Sequence, residues 1–116
     1  MPRAKNNVAA KRKHKKVLKK ARGNYGARSR LYRTALETVN KGMSYAYRDR
    51  RNRKREFRSL WITRISAAAK MCDTNYSSLM HGLKQAGVNL NRKALADIAA
   101  RDMTTFAQLA KMASTD

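Results

Sequence analysis

Cysteine, acidic side chains and long apolar runs are all scarce in this chain of 116 residues, and these scarcities exclude several classes of protein. Cys72 is the single cysteine, so an intramolecular disulfide is impossible and a reducing compartment is favoured. No apolar run approaches the roughly 18 residues of a membrane span. The basic first residues also lack the apolar segment of a secretory signal peptide. We therefore expect neither a disulfide framework nor a membrane protein.

Groups of residues that support catalysis or metal binding are also missing. His14 and His81 lie far apart, and Cys72 has no second cysteine with which to form a metal-ligand spacing. The five glycines form neither a phosphate-binding loop nor a dinucleotide-binding pattern. No arrangement of Ser, His and Asp is positioned for nucleophilic catalysis. The sequence thus predicts a protein that is not an enzyme and that uses no metal, cofactor or small-molecule substrate.

Positive charge is what the chain has in excess. Lys and Arg number 28 against 7 Asp and Glu, which gives a net charge of +21. Residues 1–58 carry a net charge of +18, and residues 59–116 carry +3. Charge of this size opposes compaction by self-repulsion, which a polyanion relieves. We predict a basic tail and helical arm over residues 1–58, and a small helical globular domain over residues 59–116.

The strongest local signal is the basic run from Arg48 to Arg58. It contains no Pro, Gly or β-branched residue, so nothing in it opposes a helix. Its seven cations are Arg48, Arg50, Arg51, Arg53, Lys54, Arg55 and Arg58. At about 100° per residue these side chains point in nearly every direction around a helix. A protein core could not face them all, whereas an extended polyanion could.

Apolar stripes with helical spacing lie on both sides of this run. The stripe that follows it consists of Trp61, Ile65, Ala68 and Cys72. The stripe that precedes it consists of Tyr32, Leu36, Val39, Met43 and Tyr47. We predict one helix that starts at an N-cap on Ser29, runs to Cys72 and joins the arm to the small core. The earlier stripe is expected to meet the first helix or another protein.

The first 24 residues form a basic tail with few large apolar side chains. Burial of Val17 and Leu18 cannot offset the entropy of ordering the tail, so we expect it to be disordered alone. A short helix over residues 9–21 is expected on a partner, and the glycines that follow predict a loose joint. Because no acidic residue precedes Glu37, a transit peptide is a rival interpretation, although the start is rich in Lys and poor in Ser.

Several short helices are predicted beyond Cys72. Asn75, Asn91 and Asp102 can each cap the start of a helix, and Gly87 suits the position after a helix end. The residues expected to face the core are Tyr76, Leu79, Met80, Leu83, Leu95, Ile98, Phe106, Leu109 and Ala113. No strand-like alternation is present. The predicted fold is all-α: a long basic N-terminal helical arm followed by a small C-terminal bundle of short helices.

The two kinds of cation favour different contacts with nucleic acid. Arg grips phosphate through a bidentate fork and stacks on bases, whereas Lys supplies a point charge. Lys dominates the tail and Arg dominates the helix from Arg48. We therefore expect the tail to neutralise phosphate charge without fixed geometry, and the helix to recognise phosphates through defined contacts. Interspersed tyrosines either stack on bases or pack on their own helix. The residues predicted to contact RNA are Arg3, Lys5, Lys11, Arg12, Lys13, His14, Lys15, Lys16, Lys19, Lys20, Arg22, Tyr25, Arg28, Arg30, Tyr32, Arg33, Tyr47, Arg48, Arg50, Arg51, Arg53, Lys54, Arg55, Arg58 and Arg64.

Three stretches carry a recognisable pattern, and they read KHKKVLKKARGNYGARSRLYR, YAYRDRRNRKREFRSLWITRISAAAK and GLKQAGVNLNRKALADIA. They closely resemble the bacterial-type family of large-subunit ribosomal protein twenty, most specifically from Lys54 to Lys70. The resemblance covers nearly the whole chain. It implies an arm that threads through 23S ribosomal RNA, a small domain on the RNA surface and a role early in subunit assembly. It also implies contacts with neighbouring large-subunit proteins, repression of its own messenger RNA, and a place in the cytoplasmic ribosome or an organelle ribosome.

Two other classes of basic protein are considered beside this resemblance. A DNA-binding architectural protein would share the charge, but no groove-reading helix or dimer seam is evident. A cationic membrane-active peptide needs a segregated apolar face, whereas the cations from Arg48 to Arg58 surround their helix. Binding to folded ribosomal RNA, duplex DNA and anionic vesicles distinguishes the three classes.

Overall fold

Helices dominate the computed structural model, which describes Arg3, Lys5 and residues 7–114 of the chain. The α-helices are α1 (Asn7–Lys20), α2 (Tyr32–Met71), α3 (Tyr76–Gln85), α4 (Arg92–Arg101) and α5 (Met103–Ala113). A 3-10 helix, Gly26–Ser29, lies between α1 and α2. Within the described residues there is no strand, and no helix has the length and apolar character needed to cross a membrane. The predicted all-α fold is confirmed, with one long basic helix ahead of three short ones.

The chain divides into two compact units, Met1–Arg51 and Asn52–Asp116. The sequence prediction placed a boundary after Arg58, where the density of charge falls. Compactness and charge are different criteria, and α2 continues through both positions. A functional boundary at residue 58 therefore stays a prediction.

The first unit has a very small apolar core. Ala21 and Ala35 are fully buried, while Val17 and Leu18 of α1 are half-buried. No side chain of α1 is buried, and the helix lies within two residues of the predicted range 9–21. Such limited burial offsets little of the conformational entropy that the tail loses when it becomes ordered. Disorder of the tail without a partner stays a prediction.

The start of α2 differs from the prediction that Ser29 caps it. Ser29 instead ends the 3-10 helix, and its hydroxyl donates to the carbonyl oxygen of Gly26 at 3.1 Å. The amide of Ala35 donates to the carbonyl oxygen of Leu31 at 2.8 Å, which marks the first turn of α2. The prediction was wrong because a 3-10 turn takes up Ser29 and α2 begins only at Tyr32.

The apolar stripe that precedes the basic run is covered at one end. Its half-buried members are Tyr32, Leu36 and Val39. Met43 and Tyr47, at the other end, are 52% and 58% exposed. The stripe thus contributes to its own unit through its first turns and presents its last turn to solvent.

The second unit has a true core, built where α2 meets the short helices. Its buried side chains are Ile65, Ala68, Ala69, Leu79, Leu83, Leu95, Ala96, Phe106 and Ala110. Trp61 and Cys72 pack against this cluster and are half-buried, so the predicted stripe on α2 is confirmed. Among the short helices, α5 packs on both α3 and α4.

The ends of the short helices are set by local side-chain chemistry, as predicted. Side-chain oxygens accept amide hydrogens in three N-caps: Asn75 from Ser78 at 2.8 Å, Asn91 from Ala94 at 2.8 Å, and Asp102 from Thr105 at 3.1 Å. Gly87, with φ of 73°, follows α3 in the left-handed region. The amide of Val88 donates to the carbonyl oxygen of Leu83 at 2.9 Å, which completes a Schellman motif.

Candidate nucleic-acid interface

The basic run on α2 is presented to solvent along its whole length. Each of its seven cations is exposed. Within the described residues, Arg48 is the one with a carboxylate partner, since its Nε lies 2.9 Å from Oδ1 of Asp49. That hydrogen bond raises the pKa of Arg48. The other six charges have no carboxylate to neutralise them among the described residues, so they are available to phosphates.

Exposed cations also cover α1 and the joint that follows it. The predicted contacts that are exposed here are Arg3, Lys5, Lys11, Arg12, Lys13, Lys15, Lys16, Lys19, Lys20, Arg22, Arg28, Arg30 and Arg33. None of them forms a salt bridge within the part of the chain that the structure describes. The first unit therefore has a surface whose positive charge is almost uncompensated, which is the electrostatic footprint of a nucleic-acid-binding protein.

His14 and Tyr32, both predicted to contact RNA, contact each other. Their ring centroids lie 3.9 Å apart with an interplanar angle of 28°, so the rings are stacked. The pair joins α1 to the first turn of α2, and one face of each ring is covered. His14 is exposed and Tyr32 is half-buried. Contact of these two residues with RNA stays a prediction.

The remaining tyrosines of the first unit fall into two kinds. Tyr25 is 95% exposed and has no ring or cation partner within the described residues. Tyr45 and Tyr47 are 44% and 58% exposed, and cations of α2 lie over their rings. The predicted stacking on bases is therefore geometrically simplest for Tyr25.

A concavity in the second unit gathers basic side chains beside an aromatic ring. It is lined by Trp61, Arg64, Asn91, Lys93, Ala94, Ala96, Asp97 and Arg101. Arg64 was predicted to contact RNA, whereas Lys93 and Arg101 were not. Lys93 and Arg101 each lie four residues from Asp97 on α4, a spacing that brings side chains together on a helix. Asp97 pairs with Arg101 at 2.9 Å, so Arg64 and Lys93 are the cations without a carboxylate partner here, among the described residues.

Comparisons with known proteins identify the family. A model of ribosomal protein L20 matches residues 3–109. The large ribosomal subunit protein bL20 of Carboxydothermus hydrogenoformans is 58% identical over 113 residues, which cover 97% of each chain. The proteins of the same name from Pelotomaculum thermopropionicum and Legionella pneumophila are 57% and 56% identical; each alignment covers 97% of this chain, and 97% and 95% of theirs. The chain belongs to the ribosomal protein L20 family. The resemblance seen in the three stretches of sequence is thereby confirmed.

Membership of the L20 family settles the broad class of the protein. Its relatives are structural proteins of the large ribosomal subunit, so the chain is not an enzyme. The described residues contain no group of three or more His, Cys, Asp or Glu that could hold a metal ion. The exposed cations of α1 and α2 are thus to be understood as the surface of an L20 ribosomal protein.

Proposed function

We propose that this chain binds 23S ribosomal RNA through the exposed cations of α1 and α2 and promotes early assembly of the large subunit in the cytoplasmic ribosome. The observation that carries the proposal is the run of exposed cations on α2, six of which lack a carboxylate partner among the described residues. A protein core cannot pack against a helix that carries cations on every side, whereas the phosphates of RNA can neutralise cations on every side. If the tail becomes ordered only when it binds RNA, its folding would take place as the protein joins the assembling subunit.

The concavity at Trp61 supports a second contact with the same RNA. An aromatic ring gives an unpaired base a stacking surface, and the nearby Arg64 and Lys93 suit its phosphates. Replacing Lys93 by Gln should weaken RNA binding while the core of the second unit stays intact, because Lys93 is exposed.

Neighbouring large-subunit proteins and the chain's own messenger RNA are further proposed partners. Met43, at the exposed end of the apolar stripe, offers a contact to a neighbouring protein. A protein that recognises folded RNA by its shape also binds another RNA that presents the same shape. Repression of its own translation would follow if its messenger folds in that way. A reporter fused to that messenger's leader should then be repressed by the parent chain.

The direct test uses the arginine quartet, defined as Arg50, Arg51, Arg53 and Arg55. Changing the quartet to Gln removes both the positive charge and the bidentate guanidinium group. Changing it to Lys keeps the charge and removes only the bidentate group. Titration with 23S ribosomal RNA should give a log–log salt slope of roughly −7 to −9 if about ten phosphates are contacted. The Gln variant should flatten that slope, and the Lys variant should lower affinity with the slope kept. Equal affinity for duplex DNA, or unchanged RNA affinity in both variants, would contradict the proposal.

A further inference from the structure

Two tyrosines of α2 lie beneath cations of their own helix. The Arg48 Cζ atom is 4.6 Å and the Lys41 Nζ atom 5.5 Å from the ring centroid of Tyr45. The Arg51 and Arg50 Cζ atoms are 5.0 Å and 6.0 Å from the ring centroid of Tyr47. Nη2 of Arg51 also donates to the hydroxyl oxygen of Tyr47 at 2.9 Å. Arg51 is thus held by both the face and the hydroxyl of one tyrosine.

Helix geometry explains why these pairs form. Side chains on an α-helix lean toward its N-terminus, so an arginine three or four residues after a tyrosine reaches back over the ring. Arg48 follows Tyr45 by three residues, and Arg51 follows Tyr47 by four. The ring attracts the guanidinium through its negative face, and the attraction is strongest where water is partly excluded.

We propose that Tyr47 is a positioning residue, which holds Arg51 in the conformation that grips phosphate. This inference rests on the proposed binding of ribosomal RNA by α2. A long arginine side chain loses conformational freedom when it binds, and a side chain that is already ordered loses less. Tyr47 then acts on RNA through Arg51 rather than by stacking on bases. Loss of one tyrosine should weaken binding about 3- to 10-fold, which is the cost of ordering one such side chain.

A double-mutant cycle separates positioning from direct stacking. The full-length parent, Tyr47→Leu, the pair Arg50→Gln with Arg51→Gln, and the triple variant are titrated with 23S ribosomal RNA. Tyr47→Leu should weaken binding about 3- to 10-fold in the parent and less than about 2-fold once both arginines are gone. Its salt slope should equal that of the parent because no cation is lost. Tyr47→Phe, which keeps the ring and loses the hydroxyl, should restore part of the affinity.

Tyr25 provides the matched control, since it lies in the same unit without a cation over its ring among the described residues. The effects of Tyr25→Leu and of the two arginine changes should simply add. Leu is a better helix former than Tyr, so α2 is kept in the Tyr47→Leu variant, as circular dichroism at 222 nm should verify.

Two results would overturn the inference. Equal losses from Tyr47→Leu with and without the arginines would mean that the ring itself contacts RNA. Unchanged affinity of Tyr47→Leu in the parent would mean that the ring does nothing for binding. A third result would be a failure of the proposed function itself. If the two arginine changes leave affinity unaltered, the proposed role of α2 in RNA binding is wrong, and the inference about Tyr47 is wrong with it.

Discussion

Gly82 of α3 and Ala113 of α5 meet backbone to backbone: a β-carbon on Gly82 would lie 2.7 Å from the carbonyl carbon of Ala113. That separation is well inside van der Waals contact, so even a methyl group cannot enter without displacing α5. Because α5 also supplies the buried Phe106, the spacing of α3 and α5 is tied to the packing of the core.

We expect Gly82→Ala to destabilise the second unit despite the better helix propensity of Ala. Propensity favours Ala by roughly 0.8–1.0 kcal/mol. Overpacking costs about 1–3 kcal/mol and more when backbone must move, so the clash should win. Thermal unfolding of the full chain, followed by circular dichroism, should show a lower Tm.

Gly42 is the matched control, because it also lies inside a helix but has open space where a β-carbon would be. Gly42→Ala should stabilise α2 by about 0.4–1 kcal/mol, which slower amide exchange around that turn would report. If Gly82→Ala raised Tm as Gly42→Ala should, the close approach of α3 and α5 would be wrong.

The sequence predicts helix ends better than it predicts contacts between helices. Asn75, Asn91 and Asp102 were recognised as caps because a cap needs a suitable side chain and a nearby amide, both of which are local. The failed prediction at Ser29 was also local, since a 3-10 turn competes with the α-helix for the same residues. The contact of Gly82 with Ala113 could not be predicted, because no local rule says which helix will lie against a glycine.

Asp73 stands in a backbone conformation that favours glycine, and its replacement should stabilise the chain. Its φ is 56°, and it ends α2 in a Schellman motif in which Thr74 donates to Ala69 at 3.0 Å. A residue with a β-carbon is strained there, though Asp is among the better tolerated. Asp73→Gly should therefore raise the free energy of unfolding by about 0.5–1 kcal/mol.

Gly87→Ala tests the same physics in the opposite direction. Gly87 has φ of 73° and open space around it, so any loss of stability must come from the backbone. This variant should have a lower Tm than the parent, while Asp73→Gly should have a higher one. A lower Tm for Asp73→Gly would show that the Asp73 side chain contributes more than its strain costs.

Asp102 should make the stability of the second unit depend on acid pH. Hydrogen bonds from the hydroxyls of Thr104 and Thr105, together with the Thr105 amide, lower the pKa of this carboxylate to about 2. An unfolded Asp titrates near pH 3.9. The stabilisation is therefore complete above about pH 4 and disappears as the pH falls through 2. A carbon-13 NMR titration should find the carboxyl pKa, and Thr104→Val should raise it.

Asp102→Asn separates the charge from the cap, because Asn is an equally good N-cap. This variant should lose the part of the acid dependence between about pH 2 and pH 4 that belongs to Asp102. An Asp102→Asn profile that matches the parent over this interval would mean that other carboxylates control the acid response.

The exposed cations of the candidate site were predictable because charge is visible in the sequence. The basic run on α2 could be located because helical periodicity shows that no core can face all its sides. Lys93 and Arg101 could not be placed beside Trp61, because that juxtaposition depends on how α4 packs on α2. The paired tyrosines and arginines are three or four residues apart, which brings their side chains together on a helix. The same sequence also fits tyrosines that stack on bases, so the pairs could not be predicted from spacing alone.

The last prediction separates folding from RNA binding. Trp61 is the largest side chain of the predicted stripe on α2, but it is only half-buried. Phe106 has no exposed surface and lies within the core cluster. Phe106→Ala should therefore cost about 3–5 kcal/mol, which is most of the stability of so small a domain. Trp61→Ala should cost less, since part of its ring stays in water after folding, and should also weaken RNA binding at the concavity.

Changing the arginine quartet to Gln should have the opposite pattern of effects. These side chains are exposed and support no core, so their loss should leave Tm unchanged or raise it through reduced self-repulsion. RNA affinity should fall and the salt slope should flatten, because the lost charges no longer release counterions from phosphates. Thermal unfolding and RNA titration of all three variants give the comparison. A quartet variant that unfolds, or a Phe106→Ala chain that melts like the parent, would contradict this division of roles.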